Sequence, residues 1–171
     1  MNVLVVVDMQ NDFIDASLGT KEAVSIVPAV CEEIRDPMYD VVMATLDTHG
    51  TDYMQSLEGK YLPVEHCIKG TSGWQLNSDV KKALEERNAV IIEKPTFGSE
   101  ALLEKVEALR PDTVTLVGLC TDICVISNAM LIKTALYDHD VFVKEDATAG
   151  VTEEKKQAAL EVMRSCQIQI I

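Results

Sequence analysis

No stretch of this sequence approaches the roughly 20 consecutive apolar residues that a membrane-spanning helix needs, so a membrane span is not expected. Basic residues are scarce and scattered. Fifteen Lys and Arg stand against 28 Asp and Glu, a formal charge of −13 with no basic block. Such a surface repels phosphate backbones, which argues against nucleic acid and leaves a small molecule as the expected partner. The five cysteines (Cys31, Cys67, Cys120, Cys124, Cys166) are odd in number and unevenly spaced. A disulfide framework is therefore not expected, and a reducing cytoplasm suits the chain better. The opening "MNVLVVVDMQNDF" lacks the basic start of a signal peptide and reads as a buried strand. Internal repeats, low-complexity tracts and linkers are also missing. With 171 residues and 47% hydrophobic content, one compact domain over residues 1–171 with a sizeable core is expected.

What is present is alternation. Short β-branched runs at 2–7, 40–46, 88–93, 113–118, 140–145 and 167–171 are separated by helical patterns near 22–35, 78–87, 99–109, 122–138 and 152–165. Continuous apolar strands between amphipathic helices predict a three-layer α/β/α fold around a mostly parallel six-stranded sheet. The one long connection, 47–77, is rich in Gly, His, Asp and Ser, and a stretch of that length in a compact domain is more often functional than idle.

Ligands of open parallel sheets sit beyond the carboxyl ends of the strands. In chain order those ends carry Asp8, Asp47, Lys94, the segment Cys120 to Cys124, and Asp146. An acid, a lysine and a cysteine thus converge on one edge. Cys124 falls in the first turn of a predicted helix, where free N–H groups and the helix dipole favour a thiolate, and Lys94 would add to this. Asp8 can accept the thiol proton and return it to a leaving group. Taken singly, Asp8 could cap a helix and Lys94 could be a solvated charge. The Cys-x-x-x-Cys spacing does not favour a redox pair, and Cys31 and Cys166 read as small core hydrophobes.

Two of only three histidines, His49 and His66, lie in the long connection beside Asp47. An Asp-x-His pair with a distant His is a candidate divalent-metal site, although exposed loop histidines would look the same in sequence. His139, between two aspartates at a helix end, reads as a solvated cap.

The segments "VVDMQNDF" (6–13), "EKPTFGS" (93–99) and "GLCTDICV" (118–125) resemble the three signature segments of the isochorismatase-like cysteine hydrolases. With "LDTHG" and "LPVEHCIKGTSGW", the chain is similar to the nicotinamidases within them, over essentially its whole length. The resemblance implies a catalytic triad of Asp8, Lys94 and Cys124. It also implies a cis peptide at Leu119–Cys120 and an oxyanion hole from the Cys120 and Cys124 N–H groups. It implies one divalent metal, Zn²⁺ with Fe²⁺ or Mn²⁺ as alternatives, on Asp47, His49 and His66. Glu58 is the candidate added ligand, ahead of Asp52. Phe13 and Phe97 are candidate substrate contacts. Leu62 stands where many nicotinamidases carry an aromatic residue. The implied reaction is hydrolysis of nicotinamide to nicotinate and ammonia through a Cys124 thioester, in a homo-oligomer. A metal-independent amidase or ureido-hydrolase of the same family is the alternative, and a non-catalytic assembly protein a further one.

Overall fold

The six apolar runs form β1 (Asn2–Val7), β2 (Val41–Asp47), β3 (Val90–Lys94), β4 (Thr113–Leu119), β5 (Asp140–Ala149) and β6 (Gln169–Ile170). In the computed structural model, which describes residues 1–171, they make a single sheet ordered β3-β2-β1-β4-β5-β6. Every strand pair is parallel. Alternate residues of β1 feed two separate cores. Leu4 and Val6 pack with Ile26, Val30 and Ile34 of α2 (Lys21–Arg35) and with Val80 and Leu84 of α4 (Ser78–Glu86). Val3, Val5 and Val7 pack on the other face, against α5 (Glu100–Leu109), α6 (Ile126–Ala135) and α7 (Glu153–Ser165). Burial on both faces is why the strands read as unbroken apolar runs. The helices start where the sequence offers caps: Thr20, Asn77, Ser99 and Thr152 each accept a backbone N–H of the first turn.

Several boundaries differ from the sequence reading. The predicted helix at 122–138 opens with a π-helical turn, Thr121–Val125, and regular α6 begins only at Ile126. The last strand is two residues long instead of five. β5 runs four residues beyond its predicted end. Its pairing passes from Leu116↔Val143 to Gly118↔Thr148, so five residues of β5 cover what two of β4 cover. That irregularity turns Ala147 and Ala149 toward the opposite core from Val141 and Val143. Asp146 therefore lies exposed within this stretch, not at a strand end, and leaves the list of edge residues.

The strand order reverses direction between β1 and β4, and a crevice at such a switch point is the usual ligand site of an open parallel sheet. Gly118 sits there with φ +110, and a Cβ on it would lie 2.1 Å from the Val7 carbonyl oxygen. Both the backbone conformation and the space require glycine. We expect Gly118→Ala to lower stability by about 3 kcal/mol or more, read from urea unfolding midpoints. A loss within ~0.5 kcal/mol, the range of an ordinary surface substitution, would contradict this close approach.

Candidate active site

Asp8, Lys94 and Cys124 arrive from β1, β3 and the turn after β4, and all three side chains are buried. Lys94 is the hub. Its Nζ lies 2.7 Å from Asp8 Oδ2, 3.5 Å from Cys124 Sγ and 3.7 Å from Asp47 Oδ1, and it donates to the Thr96 carbonyl at 3.0 Å. Asp8 adopts φ +48, a left-handed conformation that aspartate tolerates better than most residues. Thr45 holds it there. The Thr45 hydroxyl donates to Asp8 Oδ1 at 2.6 Å, and the Asp8 N–H donates to the Thr45 carbonyl at 3.2 Å. Leu119–Cys120 is a cis peptide, as the resemblance implies. The Cys120 carbonyl accepts from the N–H groups of Ile123 and Val125, which closes the π turn that carries Cys124.

Burial and nearby acids oppose the pull of the helix start and Lys94 on the Cys124 sulfur. Burial pushes the Cys124 thiol well above its ordinary range, and the Asp8 charge adds to this against the opposing pull of Lys94. A second carboxylate, Asp47, pushes the same way, so one lysine faces two acids. Burial also raises Asp8, with Lys94 opposing and Asp47 reinforcing. Asp8 is thereby a better proton acceptor than an exposed aspartate. Lys94 stays an ammonium, because the negative groups around it outweigh the burial that disfavours its charge. Burial likewise holds the neighbouring Cys120 thiol up at about 12.

Next to this cluster, donor atoms of Asp47, His49 and His66 all lie within 4.8 Å of one another. Asp47 Oδ2 is 2.9 Å from His49 Nε2 and 3.5 Å from His66 Nε2. Glu58 joins them from α3 (Leu57–Tyr61), with Oε1 3.5 Å from His66 Nε2 and Oε2 3.9 Å from His49 Nε2. The exposed Asp52, the weaker alternative, is not in the group. His66 Nδ1 lies 2.8 Å from the Val64 carbonyl, which assigns a ring hydrogen to Nδ1 and turns Nε2 toward the carboxylates. Burial disfavours a charged His66, yet Asp47 and Glu58 outweigh it and raise the ring to about 10. Two carboxylates and two imidazoles converging on one point fit a divalent ion.

Both clusters open into one cavity of about 720 Å³, whose walls include Cys120, Cys124, Asp47, Glu58 and His66. Phe13, Leu62 and Phe97 line it as well. The Phe13 ring lies 5.5 Å from that of His66, while Phe97 is 49% exposed at the rim. Trp74 is outside the cavity; its Nε1–H donates to the Thr48 hydroxyl at 2.9 Å and packs the loop. His139 is exposed, but it lies in the turn before β5, beyond the end of α6 at Ala135, and does not cap that helix.

The isochorismatase-domain family model matches residues 2–171. The chain belongs to that family. Within the isochorismatase family it is similar to the nicotinamidase/pyrazinamidase of Mycobacterium tuberculosis, 28% identical over 188 residues, covering 100% of this chain and 98% of that protein. Its structure superposes on the pyrazinamidase/nicotinamidase of Streptococcus mutans with a TM-score of 0.86 at 25% identity, over 100% of both chains. The pyrazinamidase of Pyrococcus horikoshii in complex with zinc gives 0.82 at 28% identity, over 99% of this chain and 98% of that one. This is a nicotinamidase-like member of the isochorismatase family.

Several residues of this isochorismatase-family site carried no signal in the sequence reading. Thr45 was hidden inside an apolar strand. Gln10 donates to the Asp47 carbonyl at 2.8 Å and accepts the Asp47 N–H at 2.7 Å, locking the end of β2 to the segment after β1. Asn128 donates to the Cys124 carbonyl at 2.8 Å and accepts from the Ser99 N–H at 2.9 Å, tying the π turn to the loop after β3. Leu18, Ile123 and Val151 complete the apolar wall.

Proposed function

We propose that the protein hydrolyses nicotinamide to nicotinate and ammonia, with Cys124 as nucleophile, Asp8 as proton shuttle and Lys94 as their electrostatic partner. The observation that carries this reading is the position of Lys94 Nζ. It lies within 3.7 Å of Asp8, Cys124 and Asp47, so nucleophile, base and metal cluster share one buried charge on one cavity.

Asp8 takes the thiol proton as the Cys124 sulfur attacks the amide carbon. The forming oxyanion accepts hydrogen bonds from the N–H groups of Cys120 and Cys124. Collapse breaks the C–N bond, and Asp8 returns the proton to the departing ammonia. Water then attacks the thioester while Asp8 takes one of its protons. The C–S bond breaks, nicotinate is released and Cys124 regains its proton from Asp8. Lys94 remains an ammonium throughout and limits the cost of the charge that appears on sulfur.

Asp47, His49 and His66, with Glu58 added, would hold one divalent ion, Zn²⁺ first and Fe²⁺ or Mn²⁺ as alternatives. When bound it supplies a Lewis-acid position for a ring nitrogen or a water. Phe13, Leu62 and Phe97 would flank the ring, with Leu62 giving a less stacked wall than an aromatic residue.

The metal separates nicotinamide from the metal-independent amides and ureido acids of related enzymes. Chelation, or His49→Ala, should suppress ammonia release from nicotinamide by ~10²-fold or more through substrate positioning. Alkylation of Cys124 by iodoacetamide should stay near its wild-type rate. Metal analysis and turnover with added Zn²⁺, Fe²⁺ and Mn²⁺ check this. Purified protein that binds none of them and is unchanged by their addition would transfer the reading to the metal-independent class.

A further inference from the structure

We infer that Asp12 is a positioning residue for the metal cluster, acting on both histidines through the backbone of Cys67. The inference rests on the metal reading above and names the residue that makes that site a preformed one.

Asp12 lies in α1 (Asn11–Ile14), four residues after Asp8, and only 9% of it is exposed. A carboxylate so buried usually pairs with a cation, yet no lysine, arginine or histidine forms an ion pair with Asp12. Its Oδ2 instead accepts the Cys67 N–H at 2.8 Å, the only side-chain hydrogen bond it makes. Cys67 is fully buried and has φ +47, a left-handed conformation that costs a non-glycine residue on the order of 1–3 kcal/mol and persists only where neighbours enforce it. Cys67 has no short polar side chain of its own to stabilise that turn. The charge-assisted bond from Asp12 does so from outside.

The consequence reaches both imidazoles. His66 precedes Cys67, so the Cys67 backbone sets the direction in which the His66 ring leaves the chain. On the other side, the Cys67 carbonyl accepts the His49 N–H at 3.0 Å, and the His49 carbonyl accepts the Lys69 N–H at 2.9 Å. One left-handed residue thus places one histidine by its chain direction and the other by its carbonyl. The rest of the loop is fitted to the same carboxylate. The Asp12 N–H donates to the Gly73 carbonyl at 3.0 Å, and a Cβ on Gly73 would fall 2.1 Å from Asp12 Oδ2. Gln10 plays the matching part for Asp47, so alternate residues of one short segment, Asp8, Gln10 and Asp12, present the base and anchor both arms of the metal cluster.

The test is Zn²⁺ affinity of the full chain, measured by competition with a chromophoric chelator, for wild type, Asp12→Ala, Asp12→Asn and Gly73→Ala. Removing a group that orients metal ligands typically costs roughly 10–100-fold in affinity. Asp12→Ala should fall in that range. Asp12→Asn, which keeps an oxygen facing the Cys67 N–H, should return to within ~3-fold of wild type. Gly73→Ala, which displaces the carboxylate without altering it, should repeat the Asp12→Ala loss. Iodoacetamide labelling of Cys124 should be unchanged and Cys67 should stay unlabelled in all three, which separates a displaced ligand from a loosened fold. Wild-type affinity in folded Asp12→Ala overturns the inference. If that variant does not fold, wild-type affinity in Gly73→Ala does so. Equal losses in Asp12→Asn and Asp12→Ala would overturn it in favour of a through-space charge effect. A wild-type chain that binds no Zn²⁺ removes the metal reading itself.

Discussion

Cys124→Ala should abolish ammonia release from nicotinamide, and Cys120→Ala should not. Loss of a nucleophile in a hydrolase that works through a covalent intermediate removes at least ~10⁴-fold in kcat, leaving only what binding and the oxyanion donors provide. Cys120 faces the same cavity and burial raises its thiol too, to about 12, but its sulfur has no hydrogen bond to Lys94. Lys94 Nζ reaches the Cys124 sulfur at 3.5 Å. Alanine at 120 keeps the N–H proposed to hold the oxyanion and removes one sulfur from the cavity wall. Activity should therefore stay within roughly tenfold of wild type, which is ~1.4 kcal/mol of transition-state stabilisation. Steady-state ammonia release and the mass of an acyl-enzyme trapped by rapid quenching check both variants. Loss of turnover in both, with unfolding midpoints intact, would point to a mechanism that uses two sulfurs.

Why were the fold and the three central residues legible, and their supports not? Strands buried on both faces leave runs such as "VLVVV" that no exposed element tolerates, and caps at Thr20, Asn77, Ser99 and Thr152 mark where helices begin. Parallel connectivity then sends every strand end to one edge, so reading off Asp8, Lys94 and Cys124 needs no side-chain geometry. Glu58 could be named but not placed, because its distance from His66 depends on how α3 folds back within the long connection. Thr45, Gln10, Asp12 and Asn128 are invisible for another reason. Each acts through a hydrogen bond to a residue 29–55 positions away, and a linear pattern records no such pairing. The extended β5 was missed because its ladder continues past an irregularity that resets which face each residue occupies. The favourable pull on the thiolate is only part of the charge count. A helix start and one lysine argue for a thiolate, but only the assembled site shows that Asp47 stands beside Lys94 as a second acid.

That charge count yields a prediction with two readouts of opposite sign. Asp8→Asn preserves shape and retains an oxygen for the Thr45 hydroxyl, but it cannot take a proton from sulfur or deliver one to ammonia. Loss of general acid–base catalysis is typically worth about 10²–10⁴ in rate, so kcat for nicotinamide should fall by that much with the fold intact. The Asp8 charge is also one of the influences that raise the Cys124 thiol, second only to burial. Neutralising it lowers the thiol pKa, enlarges the thiolate fraction at a fixed pH of about 8, and should speed alkylation by iodoacetamide. Lys94→Ala reverses the second sign. Removing the cation raises the thiol further and slows alkylation, and it leaves the buried Asp8 carboxylate without a cation at a cost of roughly 3–5 kcal/mol in stability. Turnover that collapses while Cys124 becomes easier to alkylate is the signature of a lost base beside an intact nucleophile. A merely distorted site would slow both. Near-wild-type kcat in Asp8→Asn would remove Asp8 from the proton-transfer role, and slowed alkylation would show that its charge does not oppose the thiolate.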